Sequence, residues 1–148
     1  MRAAYVFSLT KYVSWPNARK QLVIGVIGDG SMGAVLKQVL DGKVSDGKTV
    51  KVIVHPSEGE LHQCNILYVD FAPQEEVHSL LRRLNGRPVL TVGETDRFTR
   101  NGGVVALVRS GDQMQIEVNL AALRSAQLQM SSRLLRLAVI VGSDGEAR

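Results

Sequence analysis

The sequence predicts an α/β fold, a single-domain three-layer sandwich in which a mostly parallel sheet of about six strands, with an antiparallel C-terminal hairpin, carries helices on both faces. Three observations predict it. The run 22–27 is continuously apolar, as a strand covered on both faces must be, 49–55 is β-branched, and 65–69 and 89–92 are further runs of strand length. Between and around them lie segments with apolar residues three and four apart, the spacing of a helix that buries one stripe. The last two strand-like runs, 104–109 and 113–119, are joined by Ser110-Gly111-Asp112, a compact hairpin signal.

Each element has its own local reason. From Arg2 to Val13, apolar Val6, Leu9 and Val13 make a helical stripe that Tyr5 and Phe7 widen, and Trp15-Pro16 ends it because proline disfavours helix in the residue before it. Ser31 to Leu40 sets Met32, Val35, Leu36, Val39 and Leu40 at helical spacing and stops at Asp41-Gly42. Ser45-Asp46-Gly47 marks the turn before the strand 49–55. Pro73 suits the first position of a helix, Glu75 and Glu76 suit its positive end, and Arg82 and Arg83 suit its negative end before Gly86; Val77, Leu80, Leu81 and Leu84 form the buried stripe. Helical patterns return over 120–126 and 133–139, with Ser131 or Ser132 as a cap for the second. No linker, repeat or compositional shift divides the chain, so residues 1–142 read as one domain and 143–148 as a frayed tail.

The bulk numbers narrow the function classes. The chain has 148 residues, 45% hydrophobic and 22% charged, enough for a continuous core. Its net charge of +4 comes from dispersed cations, and no run of basic residues exceeds a pair such as Arg19-Lys20 or Arg82-Arg83, so no stripe tracks a nucleic-acid backbone. No apolar run approaches the roughly 18 residues of a membrane span. Cys64 is the single cysteine, which rules out an intramolecular disulfide and a multi-cysteine zinc site.

The segment VIGVIGDGSMGAVL raises the possibility of a dinucleotide fingerprint, because Gly28-x-Gly30-x-x-Gly33 follows a strand and opens a helix. Two features argue against it. The acidic residue that would hold the ribose belongs at the end of the second strand, which here reads Val54-His55-Pro56, whereas Asp46 lies at the opposite end. Asp29 would also sit against the phosphate, and two like charges about 4 Å apart cost on the order of 4 kcal/mol at an effective dielectric of 20. The same residues fit a structural turn: Asp29 as N-cap, Gly28 and Gly30 for the tight turn, Gly33 for close helix–sheet approach.

Other chemistry is sparse. The histidines are His55, His62 and His78, and His62-x-Cys64 is the one local pairing of base and nucleophile, with a buried, inert Cys64 as the simpler reading. Close paired spacing of metal ligands is absent. Asp70, Glu94 and Asp96 fall near the carboxyl ends of strands, where open α/β sheets bind ligands, and a small molecule would lie there beside Asp29 and Ser31. The competing reading has Asp70 and Asp96 capping the helical turns that follow them. The aromatic residues of the first helix, Tyr5, Phe7 and Tyr12, and Trp15 beyond it, suit either a packed helix or a partner surface.

Six phrases in order, RAAYVFSLTKYVSWP, VIGVIGDGSMGAVL, CNILYV, RPVLTVG, NGGVVALV and IEVNLAALRSAQLQMSSRLLRLA, resemble the YfiR-like family from about Arg2 to Val141. The closing phrase is the most specific. The resemblance implies a periplasmic regulator without catalytic activity or cofactor that binds the periplasmic part of a membrane-anchored diguanylate cyclase, lowers cyclic-di-GMP and biofilm formation, and forms a homodimer. It implies neither nucleic-acid binding nor direct membrane insertion. Many relatives carry a cysteine where this chain has Gly25, one able to pair with the match of Cys64, so the resemblance implies that the pair is lost here and Cys64 is an unpaired thiol. A small-molecule sensory module using the crevice near Asp29, Ser31, Asp70 and Glu94 is the alternative.

Overall fold

A computed structural model describes residues 2–16 and 19–141, and the expected frayed tail at 143–148 lies outside the described residues. The elements in chain order are α1 (Arg2–Tyr12), β1 (Val13–Ser14), β2 (Gln21–Ile27), α2 (Met32–Leu40), β3 (Val44–Ser45), β4 (Lys48–Val54), α3 (Glu58–Leu61), β5 (Ile66–Val69), α4 (Gln74–Arg83), β6 (Leu90–Gly93), α5 (Asp96–Arg100), β7 (Val105–Ser110), β8 (Gln113–Asn119), α6 (Leu120–Ser125), β9 (Gln129–Met130), α7 (Ser132–Leu135) and β10 (Val139–Val141).

The main sheet runs β10-β8-β7-β6-β5-β2-β4-β3. Neighbours from β7 through β6, β5 and β2 to β4 are parallel, and β8 turns back antiparallel on β7. Alternation along the strands sends successive side chains to opposite faces. On one face, Leu22, Ile24, Val26, Ile66 and Tyr68 pack with Val6 and Leu9 of α1 and Met32, Leu36 and Leu40 of α2. On the other, Leu67, Val69 and Ala106 pack with Val77 and Leu80 of α4 and Phe98 of α5. Two apolar clusters on the two faces of one sheet make the three layers.

The sheet has eight strands rather than about six. β3 is a two-residue addition, joined to β4 by a loop in which Asp46 and Gly47 both take positive φ, 52° and 77°, the backbone a two-residue hairpin needs. The second addition replaces part of the helix expected over 133–139. α7 ends at Leu135, and Val139–Val141 instead pairs in parallel with Glu117–Asn119 of β8. A short apolar run reads equally as helix or strand, and the unpaired edge of β8 decides it by offering ladder hydrogen bonds. A separate two-stranded ribbon, β1 with β9, ties the end of α1 to the C-terminal region through Val13 and Met130.

Of the aromatic residues of the first segment, Trp15 belongs to the core and the others are half-buried against it. Trp15 is buried and its Nε1 donates to the Asn65 carbonyl at 2.8 Å, while Tyr5, Phe7 and Tyr12 pack against the α1 and α2 layer.

Candidate functional site

The chain leaves β2 for β4 on one side and returns to β5 on the other, so the sheet reverses its strand order between β2 and β5. Crevices at such a reversal, outside the carboxyl ends of the strands, are where open α/β sheets hold ligands. Here the crevice is lined by the glycine loop after β2 and by Asp70 and Phe71 after β5. The two loops are laced together: Asp70 N–H donates to the Ile27 carbonyl at 2.9 Å, and Asp29 N–H donates to the Phe71 carbonyl at 3.2 Å.

The position that a phosphate would take is filled by a side chain of the protein. Asp70 is 3% exposed, and its Oδ2 accepts from Met32 N–H at 2.9 Å, at the first turn of α2. The glycines make room for it. A Cβ on Gly30 would stand 2.0 Å from Asp70 Oδ2, and one on Gly28, whose φ is +103°, would stand 1.6 Å from the Asp70 carbonyl oxygen. Gly33 has the packing role expected of it, since a Cβ there would meet Val54 Cγ1 at 2.9 Å.

Asp29 is therefore not the cap of α2. The N-cap position is Ser31, which is exposed, already has helical φ and ψ, and makes no side-chain capping bond; Asp29 lies two residues earlier and is also exposed. Nor does Asp70 cap the turn that follows it, and Asp96 is the first residue of α5 rather than its N-cap. α4 begins after Pro73, which is its N-cap rather than its first residue, and α5 begins at Asp96 after Thr95, without a side-chain cap in either case. Asp70 acts backwards across the sheet, on a helix 38 residues before it in the chain.

Glu94 follows β6 and sits in a second arrangement. Tyr68, fully buried in β5, donates its hydroxyl to Glu94 Oε2 at 2.6 Å, and Arg2 of α1 donates to Oε1 at 2.5 Å. Burial, then the Glu94 carboxylate, push the Tyr68 phenol far above the ordinary tyrosine range. Burial works against the charge on Arg2, but the Glu94 carboxylate outweighs it and the guanidinium pKa rises. Glu94 thus faces a phenol that stays protonated and a cation that stays charged, an arrangement for holding α1 to the sheet rather than for moving a proton.

Asp70 and Glu94 both line a cavity of about 300 Å³ on the α4 and α5 side, with Val69, Phe71, Ala72, Val77 and Phe98 supplying most of its apolar wall. Asp29 and Ser31 do not line it. Phe71 was not singled out by the sequence; it is 81% exposed and has φ of +54°, a left-handed backbone that aromatic residues rarely adopt. An aromatic between an aspartate and Ala-Pro in a loop was the available signal.

Elsewhere the candidate groups stay apart. His55, His62 and His78 are exposed; His62 contacts Arg87, while the Cys64 thiol is buried and donates to the Glu60 carbonyl at 3.4 Å. Burial, with the Glu60 charge adding to it, pushes the Cys64 thiol up to about 11, against a hydrogen bond from the Gly25 backbone. No three His, Cys, Asp or Glu residues among those described come together as metal ligands, and no described helix is long and apolar enough to cross a membrane. A comparison with known families finds that the family model described as YfiR/HmsC-like matches residues 1–139.

Proposed function

The chain belongs to the YfiR/HmsC-like family, and from that premise we propose that it is a non-enzymatic regulator that works in the periplasm. It binds the periplasmic sensor part of a membrane-anchored diguanylate cyclase and so represses cyclic-di-GMP signalling and biofilm formation. The observation that carries this reading is the extent of the family match, residues 1–139. The self-filled glycine loop supports it, because a phosphate meets the Asp70 carboxylate where a nucleotide-binding loop would offer it free N–H groups.

The mechanism is a population shift. A regulator that binds the inactive conformation of the cyclase better than the active one holds it inactive to the extent of that difference in affinity, and one that binds both equally does nothing. The same premise gives a homodimer as the working unit, to be measured by light scattering. The decisive experiment is deletion of this gene in its own bacterium: cyclic-di-GMP rises, and falls again on complementation. An unchanged level refutes the regulatory reading.

The roughly 300 Å³ cavity beside Asp70 and Glu94 favours one other reading, a sensory module for a small molecule. A metabolite present at 100 times its dissociation constant would stabilise the fold by about 2.7 kcal/mol, well within reach of a thermal-shift screen.

A further inference from the structure

We propose that Phe71 and the cavity beside it form a docking surface for a protein segment that presents an apolar side chain flanked by lysine or arginine. The proposal rests on the partner-binding reading above and names the surface that performs it.

Three independent observations point there. Phe71 is 81% exposed in a left-handed backbone conformation, so this residue bears both a hydration penalty and a steric one. Its conformation is imposed, since the Phe71 carbonyl accepts from Asp29 N–H and the neighbouring Asp70 is locked between Ile27 and Met32. The ring is thereby held out into solvent at the mouth of the cavity. Second, that cavity is walled by Val69, Ala72, Val77 and Phe98 at a volume of about 300 Å³, the small end of ligand-pocket sizes and ample for one large side chain. A free ligand inside it would cover only the part of Phe71 that lines the cavity, whereas a protein segment laid across the mouth covers the outward part of the ring as well.

Third, the exposed side chains beside the cavity carry a small excess of acid on a chain that is basic as a whole. Asp29, Glu75 and Glu76 are exposed in the loop and helix start beside the cavity, against the exposed Arg97 and Arg100 of α5. At the other end of the sheet stand Arg19, Lys20 and Arg87. A local excess of acid on a protein of net charge +4 selects a cationic segment and speeds its approach.

The test is binding of the full chain to the periplasmic part of the cyclase, by calorimetry and by association kinetics across a salt series. Phe71→Gly removes the ring and relieves the left-handed strain, and Ala72→Trp fills the cavity from its rim. Each is expected to weaken binding at least tenfold while the melting temperature stays within a few degrees of wild type. The double variant Glu75→Gln/Glu76→Gln is expected to slow association and flatten its salt dependence. Wild-type affinity in both Phe71→Gly and Ala72→Trp overturns the surface and leaves the function standing. A melting temperature lowered by ten degrees or more in Phe71→Gly makes the ring structural and overturns the surface too. Absence of binding by the wild type overturns both. A small metabolite that stabilises the wild type but not Ala72→Trp gives the cavity to a ligand and overturns the proposal.

Discussion

If Asp70 takes the place of a bound anion, removing its carboxylate must both destabilise the fold and create a site where none existed. Asp70→Ala deletes a buried charged acceptor of Met32 N–H, worth about 1.5–3 kcal/mol, together with a favourable charge at the start of α2, worth up to about 2 kcal/mol in a partly buried setting. The expected loss is about 3 kcal/mol, a fall in melting temperature of roughly 6–12 °C for a chain of this size. Asp70→Asn keeps an acceptor without the charge and is expected to lose about 1 kcal/mol. The glycines that make room for the carboxylate then leave free space beside unpaired N–H groups, so inorganic phosphate should bind Asp70→Ala. At ten times its dissociation constant it would restore about 1.4 kcal/mol. Because phosphate also stabilises most proteins by exclusion from their surfaces, the readout is the shift in the variant minus the shift in the wild type, measured by differential scanning fluorimetry. Equal shifts in the two proteins, or an Asp70→Ala as stable as wild type, would refute the argument.

Further outcomes follow from the buried polar groups. With the Cys64 thiol pushed up to about 11, the unfolded chain ionises first as the pH rises past 9. The thiol's contribution is then full below about pH 9 and is lost between 9 and 11 at about 1.4 kcal/mol per pH unit; Cys64→Ala should show a correspondingly shallower decline in urea titrations over that window. The native thiol should also react with iodoacetamide at pH 8 only as fast as the protein opens. In Gly25→Cys the new Cβ would stand 2.6 Å from Cys64 Sγ, so a small shift allows oxidation to a disulfide closing a loop of about 40 residues. The chain-entropy model gives about 4 kcal/mol for such a loop before strain, and a lower melting temperature on reduction checks it; two thiols still titratable after oxidation would refute it. Gly25→Ala has the same overlap without the bond and should destabilise. Tyr68→Phe removes a buried donor from Glu94 and is expected to cost about 1–2 kcal/mol by chemical denaturation.

Much of the architecture was legible locally because its causes are local. The runs at 22–27, 65–69 and 89–92 became strands covered on both faces while 49–55 became β4, buried on alternate residues; the 3.6-residue stripes of 32–40 and 74–83 became α2 and α4, and Asp46-Gly47 and Gly111 made the expected turns. Of the crevice, the sequence indicated the carboxyl ends of the strands and named Asp70 and Glu94, which line one cavity there, while Asp29 and Ser31 lie outside it. Phe71 was not legible, because the exposure of a ring depends on everything that fails to cover it.

The amino-acid order determined where strands and helices alternate, that the glycine loop must turn sharply, and that groups able to do chemistry are few. Tertiary structure decided which carboxylate fills the start of α2. Counting along the chain favours Asp29, but register between β2 and β5 delivers Asp70 from 38 residues beyond Met32, with Gly28 and Gly30 shaped to receive it. It also decided that Val139–Val141 is a strand, because only the assembled sheet has an open edge at β8. Local preference is a property of neighbours in sequence, whereas the partners of a buried charge or a sheet edge are chosen by strands that meet only once the chain has folded.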